Sequence, residues 1–383
     1  MAVNNTLKII RITTGGMFQD ILLKGQLRFL SLHFDMVSIS DPDQHLVNVA
    51  NRERVRTIGV EMSREISPGK DLVSIRTLRQ VFRREKPDII HVSTPKAGLL
   101  AMIAGKWTRV PVRMLTPTGF RFVGLTGLKR KIVFFFEKLP LSFATHIFPE
   151  SQGVINTIRQ YKMTRKPLML IGSGSVNGVN LGIFSEGAID AGKMAILKKE
   201  IDFDPSYNYL LFVGRIVKDK GITELVGTWK KIPGKNKLVV LGPFEKGDPV
   251  PGHIEDEIRN NPDIIHIDWT DDVHYFMALA TLLVHPSYRE GLPNVLLQAG
   301  AMGCPIICTA IEGNMDIVDD KINGLLFQPR DIGTLEKTLA FALANPATMQ
   351  QYAGKLRQKI EYKFDQKLVL QALVRQYQEV AGK

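Results

Sequence analysis

Short, predominantly apolar runs alternate along the chain with longer stretches in which apolar residues return every third or fourth position. The runs fall at residues 8–14, 36–40, 57–60, 87–92 and 112–115. A run of this length without polar alternation suits a strand buried on both faces, and such strands belong to parallel sheets covered by helices. Between them the spacing predicts helices over 17–30, 73–84 and 127–138, the second strongly basic. A further short strand is expected at 168–171. Residues 172–180 (GSGSVNGVN) are the most glycine-rich stretch, with the composition of a turn or hinge. Beyond it the alternation restarts, with runs at 209–213, 237–241, 264–267, 281–284 and 305–309. Two successive βα series joined by a glycine-rich segment predict an α/β protein of two doubly wound domains. At 383 residues the chain is long enough for each to bury its own core.

Open parallel sheets bind ligands at their strand tips, so the polar residues that follow the runs are the candidates for chemistry. After 281–284 the chain reads Pro286 through Pro293 and on into an apolar helix. Proline is preorganised for a first helical residue. A strand, a loop and a helix N-terminus in this order present free backbone N–H groups and the positive end of a helix dipole to an anion such as a phosphate. Glu290 interrupts that logic, because a carboxylate repels a phosphate lying against it; a hydroxyl-rich neutral group beside the phosphate, such as a sugar, suits it better. In the following helix Asn294 and Gln298 fall at i and i+4 on one stripe, where buried amides need partners. After 209–213 come Gly214, Arg215 and, five positions on, Lys220-Gly221, two cations placed to neutralise a diphosphate. Gly15-Gly16 follows the first run and allows close backbone approach to a phosphate, although it lacks the GxGxxG pattern of dinucleotide sites. Taken singly, each feature also fits an ordinary αβ turn or a solvated loop cation.

Together they carry a resemblance. Glu290-Gly291-Leu292-Pro293, with a polar residue eight positions after the Glu, resembles the Glu-Gly-x-Pro signature of family 4 glycosyltransferases. Gly214-Arg215 and Lys220-Gly221 match the Gly-Arg-x(4)-Lys-Gly signature of the same family. The similarity runs over essentially residues 5–380 and is strongest from 209 to 330, where Gly313-Asn314 and the 323–327 segment also keep the family's order. It implies the GT-B architecture of two facing Rossmann-like domains, an acceptor-binding one over 1–180 and a nucleotide-sugar-binding one over 181–362, with a last helix within 363–383 crossing back onto the first. It also implies a retaining transfer from a nucleoside diphosphate sugar, expected to be a UDP-sugar. Glu290 then approaches the sugar, while Arg215 and Lys220 bind the pyrophosphate. Gly15, Gly16, Gly214, Gly291, Leu292, Pro293 and Asn294 line the donor site. Gln298 stands where the family has a ribose-binding Glu; it loses the charge but keeps an acceptor oxygen. On the acceptor side the family often has His-Gly where this chain has Thr118-Gly119, and a hydroxyl cannot replace imidazole as a base. His91, Thr118, Gly119 and Arg121 are the acceptor-side candidates. No acidic metal-binding triplet is evident, so neither metal nor cofactor is expected.

Composition narrows the partners. Residues 1–150 hold 23 Lys and Arg against 12 Asp and Glu, whereas residues 251–350 hold 5 against 14. A basic front third suggests an anionic partner or a plain solubilising face. Residues 129–131 are consecutive cations and 134–136 consecutive phenylalanines, which cannot all face one way on a helix, where residues advance by about 100°. That surface either meets an anionic membrane or packs on neighbouring helices. The resemblance favours a polyprenyl-diphosphate-linked saccharide as acceptor, as in capsule or surface-polysaccharide assembly. No apolar run approaches the ~18 residues of a spanning helix, and no secretory leader is evident, so a cytoplasmic protein peripheral to the inner membrane face is expected. Cys304 and Cys308 lack the spacing of metal or redox motifs and read as buried apolar residues. Two rivals remain: a catalytically silent nucleotide-binding subunit, suggested by Gln298, and a basic nucleic-acid-binding protein, for which no zinc-finger, RRM-like or helix-turn-helix signature is present.

Overall fold

The computed structural model describes residues 6–63, 67–245 and 247–382. The chain forms two compact units, one running to Gly178 and resuming at Gln366, the other made of Val179–Asp365.

In the first unit β1 (Lys8–Ile12), β2 (Asp35–Ser40), β3 (Arg56–Gly59), β4 (Ile89–Val92), β5 (Val112–Leu115) and β6 (His146–Ile147) form one parallel sheet in the order β3-β2-β1-β4-β5-β6. In the second, β7 (Asn208–Val213), β8 (Asn236–Leu241), β9 (Ile264–Ile267), β10 (Leu282–His285), β11 (Ile306–Thr309) and β12 (Leu325–Phe327) form another, β12-β11-β10-β7-β8-β9. Read from opposite edges the two windings are the same. Each starts in the middle, runs to one edge, then returns to build the other half, so a crevice opens at the strand tips between β1 and β4 and between β7 and β10.

Alternation along the buried strands feeds two cores per sheet. Ile10, Ile12, Ile90 and Val92 pack with Leu78, Phe82, Leu100 and Ala101 of the Pro68–Glu85 and Pro95–Trp107 helices. Ile9, Ile89 and Met114 point the other way, onto Leu27, Leu30, Leu373 and Tyr377. The last two belong to the Gln366–Val380 helix, which closes the first unit.

On that second face lies a buried polar network. Arg11 is 1% exposed, and its guanidinium donates to Ser93 Oγ at 2.7 Å, the His91 carbonyl at 3.2 Å and Gln26 Oε1 at 3.3 Å. Gln26 Nε2 donates onward to the Val176 carbonyl at 2.7 Å. His91 places Nδ1 2.6 Å from the Tyr377 hydroxyl and Nε2 2.7 Å from Thr116 Oγ1, tying the last helix to the sheet. Burial, reinforced by the Arg11 charge, holds the His91 imidazole well below its ordinary pKa and therefore neutral.

Three local expectations are corrected. The helix expected over 17–30 is broken: a wide turn at Phe18–Leu22 ends, Gly25 takes a φ of 82°, and a new helix starts at Gln26–Leu30. Glu53 enforces the break by accepting from the Gly25 and Arg28 amides at 2.9 and 3.0 Å. Residues 168–171 do not form a strand. Leu168 makes one isolated bridge to Ile147, because the edge strand β6 is only two residues long and Pro167 offers no donor. Pro293 precedes the helix Asn294–Ala301 instead of opening it.

The neutral state of His91 has a consequence for stability. Its folded pKa lies below the unfolded value of about 6.5, so its contribution is complete above that pH and drains away as pH falls below it. The native chain should therefore exceed His91→Gln in unfolding midpoint at pH 7.5, and the gap should narrow toward pH 5.5. Urea titrations of the two chains check this; a gap that stays constant or widens contradicts it.

Candidate active site

The tips of β7 and β10, adjacent strands at the crevice of the second unit, carry the two charged motifs. After β7 the chain passes Gly214 and Arg215, makes a single turn at Lys218–Lys220 and reaches Gly221 with a φ of 68°. A Cβ on Gly221 would lie 2.2 Å from the Pro286 carbonyl oxygen, so only glycine lets this loop press on the one that follows β10. The contact is then zipped polar group by polar group. The Tyr288 amide donates to the Asp219 carbonyl at 3.0 Å, Arg289 Nη2 to Asp219 Oδ2 at 2.6 Å, and Lys220 Nζ to Glu290 Oε1 at 2.5 Å. From the other side Gly313 backs the loop, where a Cβ would sit 2.6 Å from the Gly291 carbonyl oxygen and 2.8 Å from that of Glu290. Asn314 Nδ2 donates to the Thr309 carbonyl at 2.9 Å, and the Thr309 hydroxyl donates to the Ser287 carbonyl.

Glu290 is the electrostatic centre. Its side chain is 14% exposed, and burial by itself pushes a carboxyl pKa upward. The Lys220 ammonium and the hydrogen bond and charge of His285 outweigh that effect, and Glu290 is held well below the usual carboxylate range. His285, the last residue of β10, sets Nε2 3.1 Å from the same Oε1. Both donors thus converge on one oxygen, while Oε2 takes no hydrogen bond from the described residues.

Leu292 and Pro293 lead into the Asn294–Ala301 helix, whose N-terminus has no side-chain cap and so keeps its dipole end and amides facing the same loop. Gln298 is half-buried and, among the described residues, its side chain makes no hydrogen bond; Asn294 is likewise half-buried, so the stripe expected to be buried is only partly so. Arg215 is half-exposed and pairs with Glu245 at 2.5 Å, apart from the Lys220–Glu290 contact. Cys304 and Cys308 are free and buried, and burial pushes the Cys304 thiol up to about 12. Among the described residues no group of three or more His, Cys, Asp or Glu is placed to hold a metal ion.

The remaining candidates lie in the first unit. Gly16 packs on the start of the Gln44–Glu53 helix: its amide donates to Asp43 Oδ2 at 3.1 Å, and a Cβ would fall 2.7 Å from the Leu46 nitrogen. Gly15 accepts from Thr13 Oγ1 through its carbonyl. His91 has both ring nitrogens engaged internally and is 2% exposed. Thr118 donates to the Ser93 carbonyl at 3.2 Å; with Gly119, Pro95, Phe120 and Pro140 it lines a mostly apolar pocket. Arg121 is exposed, its amide held by Glu137 at 2.9 Å. The neighbouring helix Gly127–Phe143 divides its two runs between core and surface. Phe134 packs edge-on against Phe122, and Arg130 stacks over Tyr161 at 5.5 Å, whereas Leu128, Ile132 and Phe135 form an exposed ridge at i, i+4 and i+7 beside exposed Lys129 and Lys131. No helix among the described residues is long and apolar enough to cross a membrane.

Sequence reasoning gathered the second unit's motifs but missed His285 and the Asp219–Arg289 pair. A histidine closing an apolar strand directly before Pro286 was the available signal for the first.

Two family models match the chain: "Glycosyl transferases group 1" over residues 194–363 and "Glycosyl transferase 4-like domain" over 27–174. The chain is 28% identical over 361 residues to the capsular polysaccharide biosynthesis glycosyltransferase CapM of Staphylococcus aureus, covering 93% of both. It is 27% identical to a UDP-Gal:alpha-D-GlcNAc-diphosphoundecaprenol alpha-1,3-galactosyltransferase of Escherichia coli, over 73% of this chain and 72% of that one. Among solved structures it superposes on HepE of Anabaena in complex with UDP-glucose with a TM-score of 0.81 at 15% identity, over 97% of this chain and 100% of the other. The fold is GT-B, the group 1 model falls on the unit that carries Lys220 and Glu290, and the chain belongs to the glycosyltransferases.

Proposed function

We propose that the chain transfers a sugar, with retention of anomeric configuration, from a UDP-sugar to a polyprenyl-diphosphate-linked saccharide at the inner face of the membrane, in capsule or surface-polysaccharide assembly. The observation that carries this reading is the Lys220–Glu290 pair at the crevice of the second sheet, beside an uncapped helix N-terminus. In the transfer, the bond between the sugar's anomeric carbon and the diphosphate oxygen breaks, its electron pair leaves with the diphosphate, and that carbon bonds an acceptor hydroxyl oxygen whose proton the departing diphosphate takes up. Arg215, Lys220 and the amides at the start of the Asn294–Ala301 helix stabilise that charge. Glu290 faces the positive charge that develops on the sugar. Gln298 holds the ribose hydroxyls through its amide, and no metal or cofactor is required because the cations are side chains.

The names of the relatives support the donor and acceptor classes. One contains a UDP-sugar and a diphosphoundecaprenol-linked acceptor, and another places its protein in capsular polysaccharide biosynthesis. The pocket lined by Thr118 and Gly119 serves the acceptor in this reading. The exposed ridge of the Gly127–Phe143 helix suits an anionic leaflet, since an apolar wedge and flanking lysines act together there.

Losing a charge-assisted contact costs about 1.5–3 kcal/mol, so Arg215→Ala and Lys220→Ala should each weaken UDP binding about tenfold or more, and the parent chain should keep turning over in EDTA. Calorimetry with UDP, with donor turnover followed beside it, checks both; unchanged affinity in both variants, or activity lost to EDTA and restored by magnesium, overturns this assignment. Lys129→Ala with Lys131→Ala and Phe135→Ser should release the chain from anionic vesicles at physiological salt, each lysine contributing about 1 kcal/mol. Equal sedimentation of parent and variant with those vesicles removes the ridge from the membrane reading.

A further inference from the structure

We propose that His285 is a positioning residue for Glu290, holding that carboxylate in place when the donor diphosphate draws on Lys220. The inference rests on the roles given to Glu290 and Lys220 above.

Two donors meet at Glu290 Oε1, Lys220 Nζ at 2.5 Å and His285 Nε2 at 3.1 Å, which leaves Oε2 as the oxygen that can face a sugar. The two donors differ in kind. Lys220 ends a one-turn loop, is 17% exposed at its side chain and swings on a four-carbon stem, so a diphosphate competes with Glu290 for its three N–H groups. His285 is the last residue of a central strand; its backbone is paired in register with Cys308 of β11, and its ring is 4% exposed. Its shorter, buried side chain, rooted in that strand, has far less reach than the lysine stem.

A carboxylate that stays ionised only accepts hydrogen bonds, so Nε2 must carry the proton that bridges to Oε1. The charged groups paired with this centre are Lys220 and Glu290, and the Cys308 neighbour is a neutral thiol because burial pushes its pKa up. The donor at Nε2 therefore does not depend on whether Nδ1 is protonated. With His285 in place, Glu290 keeps one fixed hydrogen bond and one orientation through the cycle. Without it, engagement of Lys220 by phosphate leaves a nearly buried carboxylate with no fixed partner, free to turn or to take up a proton.

The test uses the full chain and two substitutions. His285→Met removes the donor at similar length, and His285→Gln returns an N–H near the Nε2 position. UDP affinity is measured by calorimetry, and kcat and KM by UDP release from whichever of UDP-glucose, UDP-galactose and UDP-N-acetylglucosamine the parent turns over. His285→Met should lower kcat by about 30- to 100-fold, the scale expected when a reacting group is misplaced by about an ångström, with KM and UDP affinity within about twofold. His285→Gln should recover most of the loss, and in a Glu290→Gln background His285→Met should cost nothing further. Parent-level kcat in His285→Met, or equal losses in the Met and Gln variants, overturns the inference. Parent-level turnover in Glu290→Gln overturns the underlying reading together with this inference, whereas an inactive Glu290→Gln beside a fully active His285→Met overturns this inference alone.

Discussion

The second unit is organised around a carboxylate that has been taken out of water and kept charged. Taking a carboxylate out of water costs several kcal/mol unless it is paired and hydrogen-bonded. The Lys220 charge and the His285 hydrogen bond and charge together outweigh the effect of burial and keep the carboxylate ionised. Lys220 supplies the charge and His285 the fixed hydrogen bond. Much of the surrounding geometry follows from bringing these three groups together. Gly221 lets the loop after β7 lie on Pro286, the Asp219–Arg289 pair holds the two loops in register, and Gly313 supports the Glu290 backbone from behind. Substituting a larger residue at either glycine would part the loops before touching any charged group.

The two units wind their chains identically yet use their strand tips in opposite ways. In the second, the residues after β7 and β10 bring a lysine, a carboxylate and an uncapped helix N-terminus together at the crevice. In the first, much of the polar material at the end of β1 and β4 is turned inward: Arg11, His91 and Ser93 bond one another and Tyr377, and Gly16 is closed against Asp43. That inward network, together with the apolar packing of Leu373 and Tyr377, holds the C-terminal helix on the first sheet. What the first unit leaves open is an apolar pocket beside Thr118 and, on the helix after it, a ridge of Leu128, Ile132 and Phe135 among lysines. The proposed division of labour, nucleotide on one unit and lipid-linked acceptor on the other, follows this difference in exposed chemistry.

Most of the sheet architecture was legible in the sequence, because strands buried on both faces are predominantly apolar and so stand out as runs. The exceptions were strands too short to leave a run: β6 is two residues and β12 three. The broken helix at Leu23–Gly25 escaped because its cause, the Glu53 carboxylate, lies nearly thirty residues away. The loop motifs were legible because their spacing places charges at strand tips. His285 was not, since a histidine ending an apolar strand looks the same whether it binds a neighbour, as His91 does, or a site carboxylate. Nor could three consecutive cations reveal that Arg130 turns back onto Tyr161 while Lys129 and Lys131 face outward.

The central claim is that the nucleotide diphosphate sits on the second unit at the tips of β7 and β10. Hydrogen–deuterium exchange with and without saturating UDP reads this directly. UDP should slow exchange of the amides in residues 214–221 and 291–296, where the chain would close on the diphosphate. Unchanged exchange in both segments, with protection appearing only in the first unit, would contradict the account.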